Sequence, residues 1–435
     1  MNMLLNTLRN RSFWIVDQLK GSPISKQYED INNVFENSSG IDLLKKNKIH
    51  QLLKHAVTTT QFYKKFEGFK SIGDFPVIKK TVIQNNFEQF RSTEYKNKNN
   101  FKVSTSGSTG VPFFLFQNKE KRNRNHADAI YFYDKSGFKI GNKLYELEVW
   151  RDHNLKNSFT SWMQNITQFD ISKLTDKRIE FLINKLRKDK EKNKVLLGFA
   201  SAFEMIAQYL EKNNIFLENL NISSVIANSE YLNPYTKKTL SKHLGVPVLS
   251  RYSSEEIGLI AQQTFDSPES FKVNHASYYL EILEMDSNNH VEPGEFGRIV
   301  VTDIFNYAMP IIRYDTGDIA RYKLNSCGLM EFDQIEGRKM DLIYDTKGNI
   351  ISSFVVYTKF YKYYSLLKQY QFIQQSSNYY EVKLNIHNST FDYETELIQA
   401  IKDDFGQDAI IKISYVDEIP SLSSGKRRKV VNNMI

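Results

Sequence analysis

The chain of 435 residues is 41% hydrophobic and 25% charged, an ordinary composition for a folded protein. Its length is sufficient for two or more domains. A formal net charge of +8 favours an anionic ligand or surface. The single cysteine, Cys327, excludes an intramolecular disulfide and is typical of a reducing cytoplasm. No run of roughly 20 apolar residues predicts a membrane-spanning helix, and no motif for nucleic-acid binding is found.

The first 20 residues are compatible with an amphipathic surface helix. Its apolar side chains would be Leu4, Leu5, Leu8, Ile15 and Leu19. Such a helix can contact a membrane or a partner protein. Packing onto the first domain is the simpler interpretation.

Apolar residues at helical spacing predict an amphipathic helix within residues 41–66. A short apolar strand is expected at residues 113–116, and a helix at residues 118–136 that ends near Gly137. Residues 144–150 alternate apolar and charged side chains, as a half-buried strand does.

A regular alternation of strands and helices follows. Strands are expected at residues 195–197, 223–227 and 246–250. Between them, Ser201-Ala202-Phe203-Glu204 has the sequence of a capping box and predicts one helix start. Asn233-Pro234 predicts the next. This alternation implies a parallel sheet covered by helices, which binds ligands at the carboxyl ends of its strands.

The pattern changes to strands and turns from Tyr278 onward, with strands expected at residues 278–283, 297–302 and 319–322. We interpret this part as an antiparallel, barrel-like subdomain. After Asp341 a smaller unit begins. Its predicted strand, helix and strand lie at residues 381–386, 395–403 and 409–416.

The predicted fold class is therefore α/β. We expect a large N-terminal domain, residues 1–340, with helix-covered mixed sheets and a β-barrel-like subdomain. A small, mobile α+β domain is expected at residues 341–435.

One loop stands out because it consists of small, hydroxylated and glycine residues. Its members are Ser104, Thr105, Ser106, Gly107, Ser108, Thr109 and Gly110. Backbone N–H groups and hydroxyls in such a loop can surround an anion, above all a nucleotide polyphosphate. The Gly-Lys-Ser/Thr ending of a Walker loop is absent. On its own the loop is also compatible with a simple flexible turn.

Further segments in a fixed order strengthen the phosphate interpretation. They are Tyr252-Ser253-Ser254-Glu255-Glu256-Ile257-Gly258, Arg313-Tyr314-Asp315-Thr316-Gly317-Asp318, Glu336-Gly337-Arg338-Lys339-Met340-Asp341 and Ser423-Ser424-Gly425-Lys426. In this order the chain resembles the adenylate-forming superfamily of acyl-CoA synthetases and adenylation domains. Phe75-Pro76-Val77-Ile78 and Ala308-Met309-Pro310-Ile311 resemble one branch, the phenylacetate–CoA ligase-like proteins and their CapK-like relatives encoded with capsular polysaccharide genes.

The resemblance implies a role for each segment. The loop would hold the β- and γ-phosphates of ATP, Tyr252 would stack on adenine, and Asp318 would accept the ribose hydroxyls. Glu256 would bind Mg²⁺ and act as a catalytic residue. The remaining ATP-binding residues implied are Ser253, Ser254, Glu255 and Arg338.

Lys426 would be the principal catalytic residue, delivered by the mobile C-terminal domain to the α-phosphate. Removing one such electrostatic contact to a transition state costs on the order of 3 kcal/mol. The alternative is a basic tail that binds an anionic partner. In relatives, the segments that contain His126 and Trp150 line the acyl pocket, which makes these two residues candidates for substrate binding.

The chain departs from the family pattern at several positions. Phe113 stands where many members have a lysine, and Glu255 replaces the usual Thr or Ser. Ser253 replaces a glycine. Met340 occupies the position of the usual hinge aspartate. Mg²⁺ or Lys102 could compensate for the missing lysine charge.

The resemblance implies a cytoplasmic ATP-dependent ligase that converts a carboxylate to an acyl-adenylate and transfers the acyl group to an amine or a thiol. Capsular polysaccharide biosynthesis would suit an amine acceptor, whereas coenzyme A would be the thiol. Mg²⁺ is the implied metal, and a homodimer is compatible with the sequence. The alternatives are a non-catalytic nucleotide-binding relative and a basic protein associated with RNA or membranes.

Overall fold

A computed structural model describes residues 2–36, 41–105, 113–150, 155–338, 343–351, 353–364, 366–387, 389–420 and 428–434. Within these ranges the α-helices are α1 (Asn2–Leu19), α2 (Ser25–Glu36), α3 (Ile41–Thr59), α4 (Lys80–Asn85), α5 (Phe87–Phe90), α6 (Lys119–Asp134), α7 (Ser158–Gln164), α8 (Asp176–Lys188), α9 (Ala200–Lys212), α10 (Pro234–Leu244), α11 (Ser353–Phe360) and α12 (Glu394–Phe405). In this part of the chain, no helix combines the length and the apolar character needed to cross a membrane.

The strands of the same ranges are β1 (Phe101–Thr105), β2 (Phe113–Gln117), β3 (Lys143–Glu148), β4 (Ile166–Asp170), β5 (Lys194–Phe199), β6 (Ile222–Asn228), β7 (Val248–Ser254), β8 (Gly258–Thr264), β9 (Ser267–Val273), β10 (Tyr278–Leu283), β11 (Phe296–Asp303), β12 (Tyr314–Leu324), β13 (Met330–Arg338), β14 (Ile343–Tyr344), β15 (Ile350–Ile351), β16 (Leu367–Gln374), β17 (Tyr379–Ile386), β18 (Ile410–Tyr415) and β19 (Val430–Asn432).

The central element is an 11-stranded sheet of order β10-β11-β12-β13-β9-β8-β7-β6-β5-β3-β4. Its β3 to β7 part is parallel, and the part from β7 to β10 is antiparallel. The two parts meet in β7. Its residues 248–250 pair in parallel with β6, whereas residues 251–254 pair antiparallel with β8. The predicted barrel-like region is therefore the antiparallel half of the same sheet.

Separate hydrophobic cores support the two halves. Helices α8, α9 and α10 pack on the parallel strands, with Leu182, Phe203 and Val225 among the buried residues. Helix α3 and the segment after it cover the antiparallel strands, where Tyr63 and Phe75 are buried.

The residues after 342 form a smaller α+β unit around the sheet β18-β17-β16-β19. It has its own core, which includes Phe372, Val382 and Phe405. The unit contacts the larger part through α9 and α10. The Tyr364 ring stacks on Tyr235, with 4.4 Å between ring centroids.

Most predicted segments are confirmed, including the helix start at Asn233, whose side chain accepts a hydrogen bond from the Thr236 N–H at 2.8 Å. The capping box at residues 201–204 is wrong. Helix α9 begins at Ala200, and the Ser201 N–H donates to the Glu230 carboxylate at 2.8 Å. The Glu204 side chain instead binds Lys429 from the smaller unit.

Candidate functional site

The candidate site lies where β7 changes from parallel to antiparallel pairing, next to the turn that connects it to β8. Tyr252 is in the antiparallel part of β7, and Glu256 is in the turn. The Ser254 hydroxyl accepts a hydrogen bond from the Ile257 N–H at 3.2 Å and closes the turn. Gly258 follows with φ +115, and a Cβ there would lie 2.7 Å from the Tyr278 hydroxyl. The turn therefore requires glycine at this position.

A hydrogen bond joins two predicted site residues that are distant in the sequence. The Tyr252 hydroxyl donates to Asp318 Oδ2 at 2.7 Å and approaches Thr316 Oγ1 at 3.3 Å. Burial and the Asp318 charge raise the pKa of Tyr252 well above its usual value. The phenol therefore stays protonated and fixes the orientation of the carboxylate. A carboxylate such as that of Asp318 can accept hydrogen bonds from sugar hydroxyls.

A second tyrosine–carboxylate contact lies beside the first. The Tyr314 hydroxyl donates to Glu256 Oε1 at 3.2 Å, and burial together with the Glu256 charge raises the pKa of Tyr314. The sequence interpretation had no role for Tyr314. The available signal was strand alternation: Tyr314, Thr316 and Asp318 are spaced by two residues along β12 and therefore face the same side.

Arg338, another predicted ATP-binding residue, ends the neighbouring strand β13. Its Cα position pairs with that of Asp318 in the β12–β13 register. The backbone therefore brings these two motif positions together. The hinge positions, Met340 and Asp341, lie outside the described residues.

Buried charge pairs hold the start of β12 in place. Arg313 has a left-handed backbone (φ +50), a conformation that costs a non-glycine residue about 1 kcal/mol or more. Its guanidinium donates to both Glu281 oxygens at 3.0 Å and to the Phe75 carbonyl at 2.9 Å. The Ile78 N–H in turn donates to the Arg313 carbonyl at 2.9 Å. These contacts tie the segment before α4 to β12.

Strands β1 and β2 flank the predicted phosphate loop and pair as an antiparallel hairpin in which Ser104 is opposite Phe114. Ser104 and Thr105 end β1. Ser106, Gly107, Ser108, Thr109 and Gly110 lie outside the described residues, so their phosphate role remains a prediction.

The Phe113 departure has a structural correlate that sequence reasoning missed. The Phe113 side chain is buried, and the Lys80 ammonium lies 5.0 Å from its ring centroid. A cation from α4 is thus next to the strand that leaves the loop. The Lys102 ammonium lies 3.9 Å from the Phe114 ring centroid, so cations lie beside both Phe113 and Phe114 at the start of β2.

The two acyl-pocket candidates lie on different elements. His126 is an exposed residue of α6, and partial desolvation together with the Arg122 charge lowers its pKa, which favours the neutral imidazole. Trp150 follows β3, and its indole N–H donates to the Glu146 carbonyl at 3.3 Å. Their assignment to substrate binding remains a prediction.

Ser253 and Glu255 are exposed in the β7–β8 connection, on either side of Ser254. Their contacts with ATP stay a prediction. Within the described ranges, no group of three or more His, Cys, Asp or Glu side chains is arranged to hold a metal ion.

Lys426 lies outside the described residues, which resume at Arg428. The Lys429 ammonium forms an ion pair with the buried Glu204 carboxylate of α9. It also lies 4.9 Å from the Tyr370 ring centroid and 5.7 Å from that of Tyr364. Strand β19 then pairs with β16. The described residues that follow the Lys426 segment therefore contact both units.

The fold is that of the adenylate-forming acyl-CoA ligases. 2-Hydroxyisobutyryl-CoA ligase, in the postadenylation state with R3-HIB-AMP, aligns with a TM-score of 0.72 at 17% identity over 90% of this chain and 89% of that chain. The same ligase with 2-HIB-AMP and CoA in the thioesterification state aligns with a TM-score of 0.58 at 18% identity, over 90% and 89%.

The chain is homologous to Protein CapK of Staphylococcus aureus, with 23% identity over 466 aligned positions that cover 99% of this chain and 100% of CapK. Phenylacetate-coenzyme A ligase of Escherichia coli (strain K12) is 27% identical over 120 residues, 27% of this chain and 28% of that protein. The CapK C-terminal domain family matches residues 343–433. These similarities confirm the family resemblance and the α/β fold class, and they support an adenylate-forming ligase.

Proposed function

We propose that this chain is an ATP-dependent ligase that activates a carboxylate as its adenylate. A carboxylate oxygen attacks the α-phosphorus of ATP, a new C–O–P linkage forms, and the bond from that phosphorus to the bridging oxygen breaks. Pyrophosphate leaves with the electron pair. The observation that carries the proposal is the Tyr252–Asp318 hydrogen bond, because it joins the adenine and ribose motifs of the family in one site at the strand switch.

Each side chain of the site has a role that its chemistry suits. Tyr252 offers a ring face to adenine while its hydroxyl orients Asp318, and Asp318 accepts the ribose hydroxyls. Residues 104–110 donate hydrogen bonds to the β- and γ-phosphates. Lys80 supplies the positive charge that the Phe113 position lacks, because its ammonium already lies beside the loop's exit strand.

Glu256 fits Mg²⁺ as a single carboxylate ligand. Mg²⁺ prefers oxygen ligands, keeps several waters and is usually held by one or two carboxylates plus substrate phosphates. Glu256 offers a single carboxylate, and its Oε1 accepts a hydrogen bond from Tyr314. This suits an ion that is held partly by substrate phosphates better than an ion held by protein ligands alone. When bound, the ion would neutralise phosphate charge.

The C-terminal unit, residues 341–435, would deliver Lys426 to the transition state. One aligned ligase gives a TM-score of 0.72 in its postadenylation state and 0.58 in its thioesterification state, over nearly equal shares of both chains. Because the same ligase is aligned in both cases, the difference between the two TM-scores reflects the difference between its two conformations. This supports an adenylation-like arrangement of the two units here.

The acyl group would pass from the adenylate to an amine or to the thiol of coenzyme A. Full-length homology to CapK supports a role in capsular or other surface polysaccharide biosynthesis, and hence an amine on a sugar or amino acid. Homology to phenylacetate-coenzyme A ligase supports the thiol. Such an enzyme would work in the cytoplasm, where ATP is available.

Carboxylate-dependent exchange of labelled pyrophosphate into ATP tests the first step. We expect exchange with at least one member of a panel of aromatic, aliphatic and hexuronic acids, and loss of exchange in Asp318→Ala. The acceptor is then identified by AMP release on addition of coenzyme A or an amino sugar. ATP binding without exchange by any acid would favour the non-catalytic alternative.

A further inference from the structure

The protein-facing side of helix α1 combines polar residues with Phe13 and Trp14, which pack against a hydrophobic core. The Asn6 amide donates to buried Glu191 at 2.9 Å, and the Asn10 amide donates to the Ile140 carbonyl at 3.0 Å. The Asp17 carboxylate accepts from the Ile24 and Ser25 N–H groups, both at 2.9 Å, and so caps the start of α2. Specific hydrogen bonds therefore attach α1 to the molecule.

The opposite side of α1 is apolar and exposed. Leu4 (68% exposed), Leu8 (49%), Ile15 (55%) and Leu19 (82%) form, with Arg11, a stripe at spacings of three and four residues. The stripe extends about 22 Å along the helix. Soluble helices normally bury such a stripe, so this orientation indicates that another surface covers it.

Helix α7 carries further exposed apolar residues and contacts α1. Phe159, Trp162 and Met163 are exposed there. Arg9 connects the two helices, because its guanidinium donates to the Trp162 carbonyl at 2.9 Å and lies 5.6 Å from the Trp162 ring centroid. We call the exposed residues of α1 and α7 the α1–α7 patch. Exposed apolar residues grouped in this way mark an interaction site.

The charges around the α1–α7 patch are basic. Asp17 is the single acidic residue of α1, and it is buried. Arg11 and Lys20 are exposed at the stripe and its end, and residues 155–164 contain no acidic residue. Exposed leucine and isoleucine with tryptophan and cationic side chains are the composition of helices that lie in the interface of an anionic bilayer.

Pairing with a second copy of the chain is less favourable on the same geometry. Arg11 lies near the middle of the stripe that runs from Leu4 to Leu19. A two-fold axis through the stripe would therefore place the two Arg11 guanidinium groups near each other, and like charges repel. At a lipid surface Arg11 can instead extend to the anionic headgroups.

We propose that the α1–α7 patch docks the protein on an anionic lipid surface. The helix lies in the plane of the interface, with Leu4, Leu8, Ile15 and Leu19 toward the acyl boundary and Arg11 at the headgroups. This docking is independent of the proposed adenylation.

Vesicle flotation of the full chain tests the docking. We expect binding to phosphatidylcholine vesicles that contain phosphatidylglycerol, and weaker binding as salt rises. The double variant Leu8→Gln/Ile15→Gln should bind these vesicles with an affinity that is lower by roughly tenfold or more. Arg11→Gln should lose about fivefold on the anionic vesicles and nothing on phosphatidylcholine alone.

Leu324→Gln is the matched control, since Leu324 is 53% exposed and lies at the end of β12. It should bind as the wild type does, and all variants should keep the wild-type unfolding temperature. Equal flotation with both vesicle types, no flotation at all, or equal binding by the double variant would overturn the proposal. So would light scattering that shows a dimer which Leu8→Gln/Ile15→Gln converts to a monomer. Pyrophosphate exchange measured without vesicles should proceed at the same rate in these variants as in the wild type, whatever the flotation experiment shows.

Discussion

The ion pair between Lys429 and Glu204 gives the sharpest test of how Lys426 is positioned. Glu204 is buried on α9, and the Lys429 side chain is 21% exposed. Lys429→Met removes the ammonium and leaves a buried carboxylate without its partner. Breaking a fully buried pair costs about 3–5 kcal/mol.

Partial exposure of Lys429 reduces this cost, and we take about 2 kcal/mol for the docking of the C-terminal unit. That corresponds to a fall of roughly 30-fold in the adenylation rate, with little change in the KM for ATP, since neither residue is in the nucleotide site. Lys429→Arg keeps the charge and should keep most of the rate.

A double-mutant cycle with Glu204→Gln and Lys429→Gln isolates the contact from other effects. Pyrophosphate exchange is the assay. Expressed as free energy, the loss of exchange rate in the double variant should be much smaller than the sum of the losses in the two single variants. The coupling energy between the two residues should be at least about 1 kcal/mol. Lys368→Met is the control, because Lys368 is exposed and lines the cleft between the units that Glu204 and Lys429 also line. Additive losses, or a wild-type rate in Lys429→Met, would refute the anchoring role.

Three further substitutions test the site and the sheet. Tyr252→Phe keeps the ring but removes a hydrogen bond to the charged Asp318, worth about 1.5–3 kcal/mol, and should raise the KM for ATP by tenfold or more in exchange kinetics. Lys80→Met should raise the Kd for ATP about tenfold by calorimetry, since a charge-assisted phosphate contact is lost. Gly198→Ala should lower the free energy of unfolding in urea by about 1–3 kcal/mol, because the alanine Cβ would lie 2.5 Å from the Leu147 carbonyl oxygen.

The controls for these substitutions use residues of the same type elsewhere. Tyr415→Phe, on an exposed strand of the C-terminal unit, should leave the KM for ATP unchanged. Lys80→Arg should retain most of the affinity for ATP. An unaltered KM for ATP in Tyr252→Phe would contradict the role of the Tyr252–Asp318 hydrogen bond. Unaltered ATP binding in Lys80→Met would contradict the proposed phosphate contact of Lys80. Wild-type stability in Gly198→Ala would contradict the close packing at Gly198.

Local patterns predicted the elements well because their causes are local. Asn233 and Gly245 mark the ends of α10 through a side-chain cap and a left-handed C-cap, which depend on neighbouring residues alone. Alternation likewise predicted β3, and the change to strands and turns after Tyr278 predicted β10, β11 and part of β12. Motif order then predicted that Tyr252 and Asp318 share a site, and their hydrogen bond agrees with this.

The failures come from contacts between distant segments. The residue types of a capping box are present at Ser201 and Glu204, yet Glu230 takes the Ser201 N–H and Lys429 takes the Glu204 carboxylate. Leucine spacing predicted an apolar face on α1 but could not predict that this face points outward. The Lys80 contact with Phe113 is equally invisible in the sequence, because it depends on how α4 packs against β2.

Carboxylate-dependent pyrophosphate exchange by the wild type and by Lys426→Ala, both with an acid that supports turnover, tests the account most directly. The account predicts that the variant still binds ATP with unchanged affinity but exchanges on the order of 10²–10³-fold more slowly. Exchange at the wild-type rate without the Lys426 ammonium would contradict it.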